Sequence, residues 1–291
     1  MSDKETHIVQ SISTPIRFQE YGIGIFEQIK TKSALKKAIK KGWITINGKK
    51  ASTATYMSNG DIVIFYPEKT NTLHKKFEIK LEVLFEDEYL AVINKPAGVL
   101  VSGNSFKTIT NALNDNIKKS FLKDSCTPQP VHRLDFPTTG LLMIGKTKSS
   151  ILALNTLFKD KRIQKTYYAI TIGKMKSTPG TITTPIDGKN AESDYQVIKS
   201  TFSPRFENLN LVKLNPKTGR KHQLRKHLFE IGNPILGDKD YFNEGKLLQG
   251  KGLYLHAQRL EFKHPFTGQE ITIESNLPHK FDKIFQNKKE Y

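Results

Sequence analysis

The apolar positions of this chain form one short helical stripe between turn signals and then a series of strand-like runs. Within Ser33-Ala34-Leu35-Lys36-Lys37-Ala38-Ile39-Lys40-Lys41-Gly42, residues Leu35, Ala38 and Ile39 recur at helical spacing and share one face. Ser33 suits the N-cap, and Gly42 suits the position just past the helix end. Trp43-Ile44-Thr45-Ile46 reads as a strand entering an Asn47-Gly48 turn, a strong hairpin signal. A second strand, Ile62-Val63-Ile64-Phe65-Tyr66, follows the Asn59-Gly60-Asp61 turn. Residues 1–15 are polar without a period and predict a loose arm. Residues 67–76 are polar and lysine-rich and predict a linker. This leaves residues 16–66 as a small α+β module and residues 77–291 as a larger domain.

In the larger domain the period switches repeatedly. Tyr89-Leu90-Ala91-Val92-Ile93 reads as a strand that stops at Asn94-Lys95-Pro96-Ala97-Gly98, and residues 141–144 read as a buried strand. Ile151, Leu154, Leu157 and Phe158 form a helical stripe, followed by the strand Thr166-Tyr167-Tyr168-Ala169-Ile170-Thr171-Ile172. Leu211-Val212-Lys213-Leu214 is a further strand. Residues 222–231 are helical, with Leu224, Leu228 and Ile231 on one face and Gly232-Asn233-Pro234 as the stop. There is no internal repeat, and the strands lie too irregularly for regular βαβ winding. The pattern predicts an α+β domain: a mixed, largely antiparallel sheet with flanking helices.

Composition narrows the partner. Lys and Arg number 46 against 28 Asp and Glu, for a formal charge of +18. A surplus that large favours polyanions, because each neutralised phosphate releases condensed counterions. Nucleic acid is therefore the leading partner, with a solvated lysine surface as the plainer alternative. A membrane is disfavoured by the lack of any apolar run long enough to span one and of a basic segment leading into an apolar one. One cysteine, Cys126, excludes an internal disulfide and a cysteine-based metal cluster, in keeping with a reducing cytoplasm. Nothing in its surroundings would activate it, so it reads as an incidental thiol.

Candidate chemistry concentrates in Val131-His132-Arg133-Leu134-Asp135-Phe136-Pro137-Thr138-Thr139-Gly140-Leu141-Leu142. Pro137 fixes its own φ and Gly140 permits turn dihedrals closed to other residues, so Asp135 is expected on a tight loop entering an apolar strand. Catalytic groups concentrate on loops held by a rigid sheet. The run resembles the catalytic motif of the RluA-type pseudouridine synthases, which isomerise uridine in RNA. Further stretches match that family's pattern in order: Asn94-Lys95-Pro96-Ala97-Gly98 before it, then Lys165-Thr166-Tyr167-Tyr168-Ala169 and Thr218-Gly219-Arg220-Lys221-His222-Gln223-Leu224-Arg225-Lys226-His227. Asn233-Pro234-Ile235-Leu236-Gly237-Asp238, Leu255-His256-Ala257 and His264-Pro265-Phe266-Thr267-Gly268 complete it. Thr139 stands where the family more often has serine, which keeps a hydroxyl in the turn.

The resemblance implies the pseudouridine synthase fold and a redox-neutral isomerisation that needs neither metal nor organic cofactor. It makes Asp135 the carboxylate that acts as nucleophile or base. Arg225 matches the arginine that ion-pairs with that aspartate and keeps it charged. Tyr167 matches the tyrosine that stacks on the target base, a candidate proton acceptor later in the reaction. Leu224 matches the apolar residue on the base's other side. Arg133 is expected to help extrude the target nucleotide or to bind its phosphate. His132, Lys95 and Arg220 complete the expected substrate-binding set. His132, His222 and His227 are not read as metal ligands, because no carboxylate cluster accompanies them at ligand spacing.

The small module resembles the RNA-binding module named for ribosomal protein S-four, from its basic helix through the Asn-Gly strand to the closing strand. Its start departs from that pattern, since the two glycines of Tyr21-Gly22-Ile23-Gly24-Ile25-Phe26 weaken a first helix. Lys36, Lys37, Lys40 and Lys41 are the expected phosphate contacts. Family members with such a module act on large-subunit ribosomal RNA, whereas several that act on tRNA lack it, so ribosomal RNA is favoured over tRNA. No obligate protein partner is evident. The rivals are a tRNA pseudouridine synthase and a non-catalytic RNA-binding or ribosome-assembly factor on the same fold, which would be expected to have lost Asp135, Tyr167 or Arg225. A hydrolase acting on RNA or sugar would need a second carboxylate paired with Asp135.

Overall fold

A computed structural model describes residues 4–66 and 77–286, so the expected linker at 67–76 lies outside the described residues. The chain divides into two units, Met1–Lys75 and Lys76–Tyr291. Among the described residues, no helix is long and apolar enough to cross a membrane.

The first unit runs β1 (Glu5–Ile8), β2 (Ile16–Arg17), α1 (Phe18–Tyr21), α2 (Lys32–Lys40), β3 (Ile44–Ile46), β4 (Lys49–Lys50), β5 (Tyr56–Met57) and β6 (Ile62–Phe65). Strands β1, β6, β3 and β4 form one sheet in that order, all neighbours antiparallel. Its start corrects the expectation of a loose arm. Glu5–Ile8 pairs along β6, with Glu5 opposite Phe65, and Val9 is fully buried. A polar tetrapeptide has no period of its own; the β6 edge supplies the backbone partners that make it a strand. The N-cap of α2 is Thr31, whose Oγ1 accepts from the Ala34 amide at 3.1 Å, and not Ser33. Leu35 and Ala38 turn inward, and Lys36, Lys37, Lys40 and Lys41 are exposed. Asn47 and Gly48 have φ of 49° and 77°, the two left-handed residues that a tight hairpin turn requires.

The second unit continues with β7 (Glu82–Glu86), β8 (Leu90–Lys95), α3 (Ile109–Asn116), β9 (Ser125–Pro130), β10 (Thr139–Thr147), α4 (Lys148–Lys159) and β11 (Gln164–Ile172). It closes with β12 (Gly180–Ile182), β13 (Ser193–Ser203), β14 (Glu207–Pro216), α5 (Gln223–Glu230), β15 (Leu255–Lys263), β16 (Glu270–Glu274) and α6 (His279–Phe285). A sheet of ten strands has the main order β12-β13-β14-β11-β15-β10-β8-β7, with β9 and β16 added beside β10 and β15. Its ladders are antiparallel except for β10 with β15, giving the expected mixed sheet.

Strand β10 lies in the middle and is covered on both faces, which explains its unbroken apolar run. Leu142 and Ile144 pack with Ala91, Ile93 and the Ile109, Ala112 and Leu113 of α3. Leu141 and Met143 point the other way, onto Leu90, Val92 and the Leu154 and Leu157 of α4. Each such buried side chain contributes about 1.5–3 kcal/mol, so the strand that leads out of the Asp135 loop is firmly held. A second cluster fixes the other half of the sheet, with Ala169, Ile170, Leu214, Leu224, Leu228 and Phe281 in contact. One register row crosses the centre: Gly140 opposes Ala257, Ala257 opposes Tyr167, and Tyr167 opposes Leu214.

Candidate active site

The loop bearing Asp135 is tied down from several sides. The Thr138 amide donates to the Asp135 carbonyl at 3.0 Å, and the Gly98 amide donates to the Phe136 carbonyl at 2.9 Å. The Lys95 ammonium donates to the carbonyls of Pro96 at 2.8 Å and Thr138 at 2.9 Å, with that of Phe136 at 3.4 Å. Lys95 is fully buried and does not line the cleft, which corrects its expected place among the substrate-binding residues. It holds the loop, and backbone carbonyls occupy its donors. Burial pulls its ammonium down to about 8, with the attraction of Asp135 acting the other way.

Gly140 lets β10 approach β15 beneath this loop. Its φ is +111°, and a Cβ there would stand 2.2 Å from the Ala257 carbonyl oxygen. Next to it, Thr139 Oγ1 lies 2.8 Å from His256 Nδ1, and His256 Nε2 lies 2.8 Å from Ser275 Oγ. Burial pulls His256 down to about 4, so this chain of contacts is neutral near pH 7.

Across the cleft, α5 presents Arg225. Its Nη1 stands 3.7 Å from Asp135 Oδ2, but its short bonds go elsewhere. Nε and Nη2 each reach Asp238 at 2.6 Å, and Nη2 also reaches Asp240 at 2.7 Å. Burial opposes the Arg225 charge, and the bonds to Asp238 outweigh it, so the guanidinium stays ionised. The expected Asp135–Arg225 pair is therefore an ion pair at longer range, anchored by two acids that the residue pattern had left without a role. Asp238 is itself fixed, accepting from the amides of Asp240 at 2.9 Å and Tyr241 at 3.1 Å.

Tyr167 is partly buried on β11 beside a bulge in its pairing with β15. Burial raises its phenol and the Asp135 charge raises it further, so it is neutral in the free protein. Leu224, at the start of α5, has its side chain in the core and also lines the cleft. Gln223 anchors this end of the helix: its Oε1 accepts from Thr218 Oγ1 at 2.7 Å and the Arg220 amide at 2.9 Å. Its Nε2 donates to the Glu192 carbonyl and to Ser193 Oγ, each at 2.8 Å.

Asp135, Tyr167, Leu224 and Arg225 all line one cleft of about 1090 Å³, together with Arg133, His132 and Arg220. Arg133 and Arg220 are exposed there, Arg220 with its Nε bonded to the Asn190 carbonyl at 2.9 Å. His132 serves the fold as well. Its Nε2 accepts from the Met143 amide at 2.9 Å, its ring packs on Phe158, and burial pulls it down to about 3. His227 is likewise spent, on Ser193 Oγ and the Thr184 carbonyl at 3.0 Å each. Lysines 159, 161, 165, 213, 217 and 221 widen the basic lining.

Residues 89–230 match the family described as RNA pseudouridylate synthase. The chain is 31% identical over 95% of its length to the ribosomal large subunit pseudouridine synthase C of Rickettsia bellii, covering 100% of that protein. It is 32% identical over 86% of its length to the protein of the same name from Yersinia pestis, covering 85% of it. The chain belongs to the RNA pseudouridylate synthase family. A solved structure, human RNA Pseudouridylate Synthase Domain Containing 4, superposes on 69% of this chain and 90% of its own with a TM-score of 0.56 and 29% identity.

As a pseudouridine synthase the protein is an isomerase. Its reaction cleaves the bond from ribose C1′ to base N1, turns the base, and joins C1′ to C5; C5 gives up its proton and the freed N1 takes one up, so the formula is unchanged. The cleft offers this chemistry a carboxylate, that of Asp135, with no donor within hydrogen-bond distance among the described residues. A fixed guanidinium, a neutral phenol and a basic rim for phosphates surround it. Asp238 carried a faint sequence signal as the end of a matching stretch; Asp240 and Tyr241 carried none, because their roles depend on a contact across the fold.

Proposed function

We propose that this synthase converts specific uridines to pseudouridine in large-subunit ribosomal RNA, with Asp135 as the carboxylate that attacks or deprotonates the nucleoside. The observation that supports this reading is the pairing of Asp135 with Arg225 at 3.7 Å in the basic cleft that Tyr167 also lines. Arg225 gives Asp135 a fixed positive neighbour, Tyr167 and Leu224 sandwich the flipped base, and Arg133 takes the place it leaves or its phosphate. The names of the relatives favour ribosomal RNA, and with that substrate the expected compartment is the cytoplasm. The first unit serves as an RNA anchor through the lysines of α2. Mapping pseudouridines across total RNA from cells with and without the protein tests the substrate: sites lost from large-subunit RNA support it, and sites lost only from tRNA overturn it. Asp135→Asn tests the chemistry. It keeps the shape and removes the nucleophile, so pseudouridine formation should fall by several factors of ten, each about 1.4 kcal/mol of barrier, while RNA affinity changes within a few-fold.

A further inference from the structure

Asp135 has a second neighbour at the same distance as Arg225, on its other oxygen. His222 Nε2 stands 3.7 Å from Asp135 Oδ1. The backbone of His222 puts it there: with φ 56° and ψ 24°, it is the left-handed residue from which α5 starts, and its ring leaves the helix axis toward the cleft. On the far side of the ring, Nδ1 lies 3.0 Å from the Tyr241 hydroxyl. Tyr241 also places its ring under the Arg225 guanidinium, 5.0 Å from the centroid, and its amide on Asp238. One tyrosine thus braces both groups that face the carboxylate.

The charges decide the tautomer. Burial pushes the imidazole below its usual range, with Asp135 pulling the other way, so the ring carries one N–H at neutral pH. An Nε2 lone pair facing a carboxylate oxygen would be repelled; Tyr241 O–H donating to Nδ1 leaves the hydrogen on Nε2, facing Asp135. At 3.7 Å this is not yet a hydrogen bond. Catalytic contacts of that length in a free enzyme shorten when substrate closes the site and expels water.

We infer that His222 is a positioning residue for this reaction: with its tautomer fixed by Tyr241, it gives Asp135 a second donor, on the oxygen that Arg225 does not face. This rests on Asp135 as the reacting carboxylate. The groups facing Asp135 are then Arg225 from α5, His222 at its N-cap, Lys95 from β8 and Tyr167 from β11. Those facing His222 are Asp135, Arg225, Lys221, Asp240 and Tyr241.

The test compares His222→Gln, which keeps a long donor, with His222→Asn, which accepts the left-handed backbone but is too short to reach. Both act on total RNA from cells lacking the protein, tritiated at uridine C5, and tritium release is followed over a range of RNA concentrations so that kcat and KM are read separately. The Asn variant should lose roughly tenfold or more in kcat with KM unchanged, the size expected for a donor to a charged group, and Gln should stay within about threefold of wild type. Tyr241→Phe should fall between the two. Equal kcat in Gln and Asn would overturn the inference, as would a change confined to KM. A wild-type protein that releases no tritium would instead overturn the function on which it rests.

Discussion

Arg225 grips Asp238 at 2.6 Å through two nitrogens and meets Asp135 only at 3.7 Å. The guanidinium is therefore held in place by a second acid, and the Asp135 carboxylate beside it makes no short bond to it. A pair locked by its own short bonds would have to break them before Asp135 could act; here the charge is set in advance by a separate scaffold.

That arrangement predicts unequal effects for two variants. Arg225→Met strands Asp238, whose side chain has no solvent exposure, and should cost about 3–5 kcal/mol of stability. In the protein that remains folded, kcat should fall by roughly tenfold or more, because the Asp135 carboxylate has lost the guanidinium beside it. Asp240 is 60% exposed, so Asp240→Asn should change stability little. Arg225 keeps both of its bonds to Asp238, so kcat should stay within about threefold of wild type. Thermal unfolding and kcat at saturating RNA check both, and equal losses in the two variants would mean that Asp238 is not what anchors Arg225.

Lys95 predicts a pH dependence of stability with a definite sign. Burial lowers its ammonium from 10.5 to about 8, so between those values the folded protein binds fewer protons than the unfolded chain. Its contribution to stability is least favourable below about pH 8 and improves as the pH rises toward 10.5. Denaturant unfolding of wild type and Lys95→Met across that window should show wild type gaining on the variant with rising pH. The variant should also lose kcat, since Lys95 bonds the Phe136 and Thr138 carbonyls of the Asp135 loop. A difference in stability that does not change with pH would place the charge of Lys95 in solvent.

Gly140 should tolerate no side chain. A Cβ would stand 2.2 Å from the Ala257 carbonyl oxygen, on backbone with φ of +111°. Gly140→Ala should therefore cost more than the roughly 1–3 kcal/mol of ordinary overpacking and lower kcat by moving the Asp135 loop. Gly48→Ala is the control: its φ is +77° and nothing lies within 4 Å of the added carbon, so only backbone strain remains, about 1–2 kcal/mol. Equal losses of stability in the two variants would show that β10 and β15 can part at no cost.

What was legible in the residues was whatever a local pattern encodes. The Asp135 turn follows from Pro137 and Gly140, the helix after Thr147 from its apolar stripe, and the β3–β4 hairpin from Asn47-Gly48. The contacts that cross the fold were hidden. Glu5–Ile8 became a strand only because β6 offers it an edge. Strand β13 has few buried residues and so shows no apolar period to read. Lys95 sits within a matching stretch, which says that a lysine is wanted there but not that backbone carbonyls will enclose it. Arg225 was assigned the right neighbour but not its closest one, because Asp238 and Asp240 approach it through a separate loop.

The first unit should act on affinity and leave the chemical step alone. Lys36, Lys37, Lys40 and Lys41 are exposed on or beside the two-and-a-half turns of α2, where they can reach a phosphate backbone but are poorly placed to read bases. Lys41 is partly braced, its ammonium 4.3 Å from the centre of the Trp43 ring, which orders one of the four side chains in advance. Changing the four to glutamine in the full chain should raise KM for large structured RNA and leave kcat near wild type, since Asp135, Tyr167 and Arg225 belong to the other unit. Every lysine–phosphate pairing removed in this way should also flatten the log–log dependence of affinity on salt by about 0.7–0.9. Binding measured from low to moderate salt reads that slope directly. A slope equal to that of wild type would make these lysines solvated surface and would remove the first unit from RNA recognition; a lower kcat at saturating RNA would show that it helps to place the target uridine.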